Sequence, residues 1–325
     1  MIVDPAAAPR HRAADGAETL HLSDAGGLTQ FGAHLETLPP GARSSQRHWH
    51  SAEDEFLFVI EGHPVLVDDD GDHGLGPGDA LCWRHGDPNA HQIVNRGDAP
   101  VRYLIAGSRV AGDVCTYPDS GRRQVNGLTD WRLLGPDGDV LRQGELPEWL
   151  RGLAPVWGRP FDPSTPAERI QRAADRTWVA EPPFVHPVLG LTLGGYSHAV
   201  LGERGGLSQF GVHLERLPPG SASSFRHWHE AEDEMIYVLD GHPTLVEDVE
   251  TTLGPGDMVC WPAGRAIGHC LENRTGRPAD YLTLGTRLER DAVHYPDHDL
   301  ISVKDGAARR YRHADGRPRA TGERS

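Results

Sequence analysis

The chain writes one long segment twice. "GGLTQFGAHLETLPPGARSSQRHWH" begins at Gly26, and "GGLSQFGVHLERLPPGSASSFRHWH" begins at Gly205. His48 matches His227, 179 positions on, and His91 matches His269, 178 positions on. The lost residue falls where "DDDGDHGLGPGD" meets "EDVETTLGPGD", which reads as a hairpin loop, the usual place for a change of length. The match runs on through "YPD" at Tyr117 and Tyr295 to "PDG" at Asp137 and "ADG" at Asp315. A repeat of this length requires two copies of one architecture, so the fold is decided by what a single copy can form.

Each copy reads as short strands. In the second they are "QFGVHLERL", "FRHWH", "EMIYVLDG", "PTLVEDV", "DMVCW", "GHCLEN" and "ADYLTLGTR", separated by Gly, Pro and Asp clusters. The 39 Gly and 26 Pro among 325 residues supply that many turns, and the spacing predicts an all-β sandwich or barrel. The bridge at 139–190 has another character. In "TPAERIQRAADR", Thr165, Pro166 and Glu168 have the spacing of a capping box and predict one short helix. The expected organisation is an N-terminal domain over 1–138, this linker, a C-terminal domain over 191–316 and a flexible tail over 317–325, with polar, partly disordered chain after about residue 303.

The net charge of −15 argues against a nucleic-acid binder, which needs a basic face. No stretch has the length of a membrane span, and the N-terminus lacks the apolar core of a signal peptide. Cys82, Cys115, Cys260 and Cys270 form no CxxC pair, so reduced thiols in a cytoplasmic protein are expected. Cys82, Cys260 and Cys270 read as small core residues.

The chemistry is concentrated around HxH. Residues two apart on a strand share a face, so His48 and His50 point one way and Trp49 the other. Glu55 opens the next strand and shares its face with Leu57 and Val59, while His91 follows later; the second copy repeats the set as His227, His229, Glu234 and His269. Three imidazoles and a carboxylate are costly to bury without partners, and one cation satisfies all four, whereas ordinary polar positions would not recur as a complete set. Arg47 and Arg226 are out of phase with the histidines and are expected in surface salt bridges. His34 with Glu36, and His213 with Glu215, alternate on the preceding strand and read either as partners behind the metal ligands or, the first choice, as a solvated outer face. Tyr117 and Tyr295 are expected to fix a turn.

These residues make the chain resemble a bicupin, two tandem cupin barrels (double-stranded β-helix, jelly-roll) joined here by a partly helical linker. The first cupin motif is met by Gly41, His48, His50, Glu55 and Gly62, and again by Gly220, His227, His229, Glu234 and Gly241. The second is met by Gly256, Pro262, Gly264, His269 and Asn273, and by Gly78, Arg84, Gly86, His91 and Asn95, where Arg84 replaces the proline. The "YPD" segment is shared with one subgroup of cupins. The resemblance implies a divalent transition metal in each barrel, two per chain, held by the eight named side chains, with Glu55 and Glu234 as the carboxylates of the catalytic centres. Fe(II) is the first choice and Mn, Ni, Cu or Zn remain open.

The activity expected is a metal-dependent Fe(II)-type dioxygenase acting on a small organic substrate inside the barrels. A decarboxylase or isomerase using Mn, Zn or Ni, and a non-catalytic metal- or ligand-binding cupin, stay open beside it. The partners expected are that small molecule and, for an oxygenase, O2, with neither nucleic acid nor membrane; a homo-oligomer is left open.

Overall fold

In the computed structural model, residues 1–146, 148 and 153–319 are described. The seven strands read from the second copy all form, from Phe210–Leu217 through Ala279–Thr286, and the first copy forms their counterparts. Each copy builds a seven-stranded sheet, a three-stranded sheet and a five-stranded sheet that ends in the HxH strand.

The central strand Glu55–Glu61 lies between Ala80–Trp83 and Val101–Ser108, and Glu234–Asp240 lies likewise between Met258–Trp261 and Ala279–Thr286. Period-two alternation gives such a strand two apolar faces with different destinations. Leu57 and Val59 join Leu66, Leu81, Ile93 and Tyr103 inside the first barrel. Phe56 and Phe58 turn the other way, toward Phe210, Val212, Met235 and Tyr237 of the second. The large sheets therefore pack face to face, and Phe31 stacks on Phe210 with ring centroids 5.8 Å apart. Gly62 and Gly241 end the central strands at φ +81°, where an added Cβ would strike the carbonyl oxygens of Pro100 and Pro278 at 2.8 and 2.6 Å.

The paired glycines that open each repeat find their reason here. Gly26 lies against Cys260 of the opposite barrel and Gly205 against Cys82, so a Cβ at either position would occupy the space of the sulfur. Two buried carboxylates fasten the same interface reciprocally. Asp54 accepts from the backbone N–H of Ser208 and Gln209 at 2.7 and 2.9 Å. Asp233 accepts from Thr29 and Gln30 at the same two distances. The Gln209 side chain returns to Ala52 O and Asp54 N, and that of Gln30 returns to Ala231 O and Asp233 N.

The bridge departs from the sequence reading. Residues 165–172 form no α-helix: Ile170–Gln171 is a strand paired with Leu81 and Ala80, followed by a single 3-10 turn at Ala173–Asp175. A capping box is worth about 1 kcal/mol. Pairing an open sheet edge and burying Gln171, whose side chain donates to Leu201 O at 2.8 Å, outweighs it. The first residues also cross over, since Ile2–Val3 pairs with Val259 and Met258 at the edge of the C-terminal sheet. Each barrel thus has its edge closed by a strand from outside its expected domain. The hairpin Asp130–Leu134 with Val140–Glu145 carries the first copy past residue 138.

The expected disordered tail is likewise strand through Arg319. Leu300–Asp305, Ala308–Arg312 and Pro318–Arg319 extend one sheet, and the buried Arg319 guanidinium donates to the carbonyls of His298 and Asp299. Residues 320–325 of that tail lie outside the described residues. Among the described residues no helix is long and apolar enough to cross a membrane.

Asp233→Ala would leave the N–H groups of Thr29, Gln30 and Ala263 without their acceptor. We expect a loss of about 3 kcal/mol in urea unfolding. A loss below about 1 kcal/mol would mean that the clamp adds nothing to the apolar interface.

Candidate metal centres

The sites form around the HxH strand. His50 pairs with Cys115, and His229 with Val293, in short antiparallel ladders. His48 bridges to His91 and His227 to His269. Glu55 and Glu234 open the central strands and close the set. The structure brings all eight candidate ligands together as two groups of four. Glu55 lies 3.0 Å from His91 Nε2 and 4.0 Å from His50 Nε2. Glu234 lies 3.0 Å from His269 Nε2, 3.9 Å from His227 Nε2 and 4.0 Å from His229 Nε2.

The rings are aimed by their far nitrogens. Nδ1 of His48 and His227 sits 2.9 Å from the carbonyls of Gln46 and Phe225, and Nδ1 of His269 sits 3.1 Å from Ile267 O. Nδ1 of His50 and His229 contacts the buried carboxylates of Asp113 and Asp291 at 2.7 and 2.6 Å. With Nδ1 donating, Nε2 presents a lone pair to the centre, the arrangement that metal-bound imidazoles adopt. Trp83 and Trp261 stack on His91 and His269 with centroids 3.9 and 3.8 Å apart, which fixes those ring planes.

The electrostatics suit a cation at each centre. Burial holds His48 and His227 down at about 4, so both are neutral donors near pH 7. Burial also opposes charge on His50, but Glu55 and Asp113 outweigh it and keep its pKa well above the ordinary imidazole value, so an entering cation takes the place of a proton on that ring. Burial likewise works against ionised Glu55 and Glu234, yet the surrounding imidazoles hold both far below the usual carboxylate range. Glu55 Oε2 is fully buried and, apart from the His91 ring nitrogen 3.0 Å away, has no polar partner, and a divalent ion would satisfy that oxygen. Nitrogen and oxygen donors in this number suit a divalent transition metal.

Three expectations change. Glu36 and Glu215 do not face solvent: they turn toward the cages, where Tyr103 and Tyr281 donate to them at 2.5 and 2.7 Å. Glu215 lines the same cavity of about 100 Å³ as His227, Glu234 and His269. Burial raises both carboxyls, and the charges of Glu55 and Glu234 add to the shift. Burial also lowers His34 and His213, although His213 keeps 32% of its side chain exposed. The outer face of this strand is covered by the other barrel, so its polar side chains are left pointing inward. Tyr117 and Tyr295 do more than hold a turn, lying 5.8 and 6.0 Å from the rings of His48 and His227. Arg47 and Arg226 do form surface salt bridges, to Asp69 and Asp119 and to Asp248 and Asp297. Cys82 and Cys260 are core residues of the interface, and Cys270 is buried.

Asp113 and Asp291 escaped the sequence reading, although both copies carry them four residues before the shared tyrosine. Behind them the two centres differ. Lys304 lies 2.6 Å from Glu232, whereas its counterpart in the first copy, opposite Asp113, is the uncharged Asn126. Burial raises Glu53 to about 8, since the attraction of His50 offsets only part of the effect.

A family profile described as the cupin domain matches the chain twice, at residues 34–107 and 213–285. The chain belongs to the cupin family. As two barrels in tandem it is a bicupin. Among solved structures, a sugar phosphate isomerase from a cupin superfamily of Silicibacter pomeroyi DSS-3 is 40% identical, covering 43% of this chain and 96% of its own, with a TM-score of 0.41. Oxalate decarboxylase of Lactobacillus farciminis is 16% identical over 88% of this chain and 86% of its own, with a TM-score of 0.52. Salicylate 1,2-dioxygenase of Pseudoaminobacter salicylatoxidans, solved as a point mutant, is 18% identical over 79% and 71%, with a TM-score of 0.47. No curated protein matches the sequence.

Elemental analysis of protein purified without oxygen should give close to two metal ions per chain. Replacing His227 and His229 with Ala should remove about half of the metal, because two of four donors are lost at one centre only. Full retention would show that the C-terminal group is not a metal site.

Proposed function

We propose that this bicupin is a metal-dependent enzyme for a small, oxygen-bearing organic substrate, and that its chemistry is metal-assisted proton transfer of the isomerase or decarboxylase type. The observation that carries this reading is Glu215, a carboxyl with raised pKa that shares one cavity with candidate ligands of the C-terminal barrel. A divalent ion held by His227, His229, Glu234 and His269 supplies Lewis-acid polarisation of a substrate oxygen. Glu234 brings its carboxylate closest to the reacting atoms as a ligand, and Glu55 does the same in the first barrel.

Burial and the neighbouring Glu234 charge favour the protonated form of Glu215, so it can give a proton to developing negative charge and take one back. Tyr281 O–H donates to Glu215 Oε2 and holds that carboxyl in place. Ile236, Trp261 and Leu271 form the apolar part of the wall and limit water around the exchange. Glu36 and Tyr103 offer the same pair in the N-terminal barrel.

A second reading, an Fe(II)-type dioxygenase, draws support from the ligand set: four donors leave two coordination positions open on an octahedral ion, enough for substrate and O2 side by side. The two readings part on oxygen. Metal-reconstituted protein should convert members of a panel of hydroxy-carbonyl and carboxylic acid compounds under anaerobic conditions. Glu215→Gln should lower kcat by about 10²- to 10⁴-fold with metal content unchanged. Turnover that stops without O2 and consumes it in step with product would decide for the dioxygenase.

A further inference from the structure

We infer that Cys115 is a sulfur donor to the cation of the N-terminal barrel, so that the two barrels of one chain hold chemically different metal centres. The inference rests on the metal-binding reading proposed above. Cys115 pairs directly with His50 across an antiparallel ladder, and residues in register share a face of the sheet. Its sulfur therefore points where the imidazole points. The Cys115 Sγ and one ring nitrogen each of His48 and His50 all lie within 4.8 Å of one another, a separation that one ion can span. The residue is 3% exposed, and the cross-strand neighbour of its side chain is the polar His50. A second observation points to an ion beside this group: Glu55, which is grouped with His48 and His91, has a buried Oε2 with no hydrogen bond of regular geometry, and His48 belongs to both groups.

The second barrel serves as an internal control. Val293 pairs with His229 there, so an isopropyl group replaces the thiol. None of the other three cysteines is grouped with ligand atoms among the described residues. Cys82 and Cys260 pack in the interface between barrels, where burial pushes the Cys260 thiol up to about 12. Cys270 borders the C-terminal cavity.

Ligation replaces the S–H bond of Cys115 with a metal–sulfur bond, and the proton leaves to solvent. Two consequences follow from the chemistry of the donors. The thiolate adds softness, which biases the N-terminal centre toward zinc or Cu(I) over manganese. It also cancels the charge of about +1 that three imidazoles and one carboxylate leave on a divalent ion. The C-terminal ion keeps that charge and is the better partner for an anionic substrate oxygen.

Cobalt(II) reads this directly, because thiolate ligation produces a near-ultraviolet charge-transfer band that nitrogen and oxygen ligands do not. Metal-free full-length protein titrated with Co²⁺ should show the band growing to one equivalent per chain while two equivalents bind. The band should survive in the H227A/H229A double variant. It should disappear in Cys115→Val, which carries the residue found in the other barrel, and in Cys115→Ser, with two cobalt ions still bound. Two bound cobalt ions without the band in the unaltered protein would overturn the sulfur assignment alone. A band that persists in both Cys115 variants would transfer it to another cysteine and overturn it equally. Failure of either barrel to bind cobalt would instead overturn the metal reading beneath it.

Discussion

A carboxylate buried among three imidazoles is the constraint on which each barrel depends. Glu55 and Glu234 sit at the head of the central strand, within 4.0 Å of ring nitrogens. Without positive charge between them, such groups would pull protons onto the rings or lose the geometry. Two backbone carbonyls and two carboxylates behind the HxH histidines hold Nδ1 of those rings, so the rings are aimed at the centre before any ion arrives. Preorganisation of this kind is useful only if something enters.

The same strands tie the cages to the interface between barrels. Within the run Glu53-Asp54-Glu55, three adjacent carboxylates take three directions. Glu55 enters the cage, Asp54 crosses to the backbone of Ser208 and Gln209, and Glu53 lies behind His50. Asp233 repeats the crossing toward Thr29 and Gln30. The loop that carries each ligand carboxylate is therefore braced by the opposite barrel, and each half relies on the other to hold its site. The exchanged edge strands Ile2–Val3 and Ile170–Gln171 extend that dependence to the sheet margins.

Much of this was legible in the chain. Period-two alternation and the doubled HxH indicated the strands, the two barrels and the eight converging side chains, because a polar set that recurs whole on apolar strands costs too much to bury unless one ion can satisfy it. Glu36 and Glu215 were misread for a physical reason. Alternating polar residues on a strand imply a wet outer face only when water covers that face, and here a second barrel does. The helix anticipated at Thr165 failed because local capping competes poorly with an unpaired sheet edge. The Asp54 clamp was hidden because its partners lie 154 and 155 residues away. Cys115 was passed over because its meaning depends on cross-strand register with His50, which spacing alone does not supply.

The most direct test of the account is an anomalous-difference map from crystals of the protein carrying the metal it acquires during expression. The account predicts two peaks per chain, each about 2.1 Å from imidazole Nε2 atoms and a glutamate oxygen, one centred on His48, His50, Glu55 and His91 and the other on His227, His229, Glu234 and His269. A map without peaks at either centre, with the imidazoles rotated to hydrogen-bond one another or water, would contradict it.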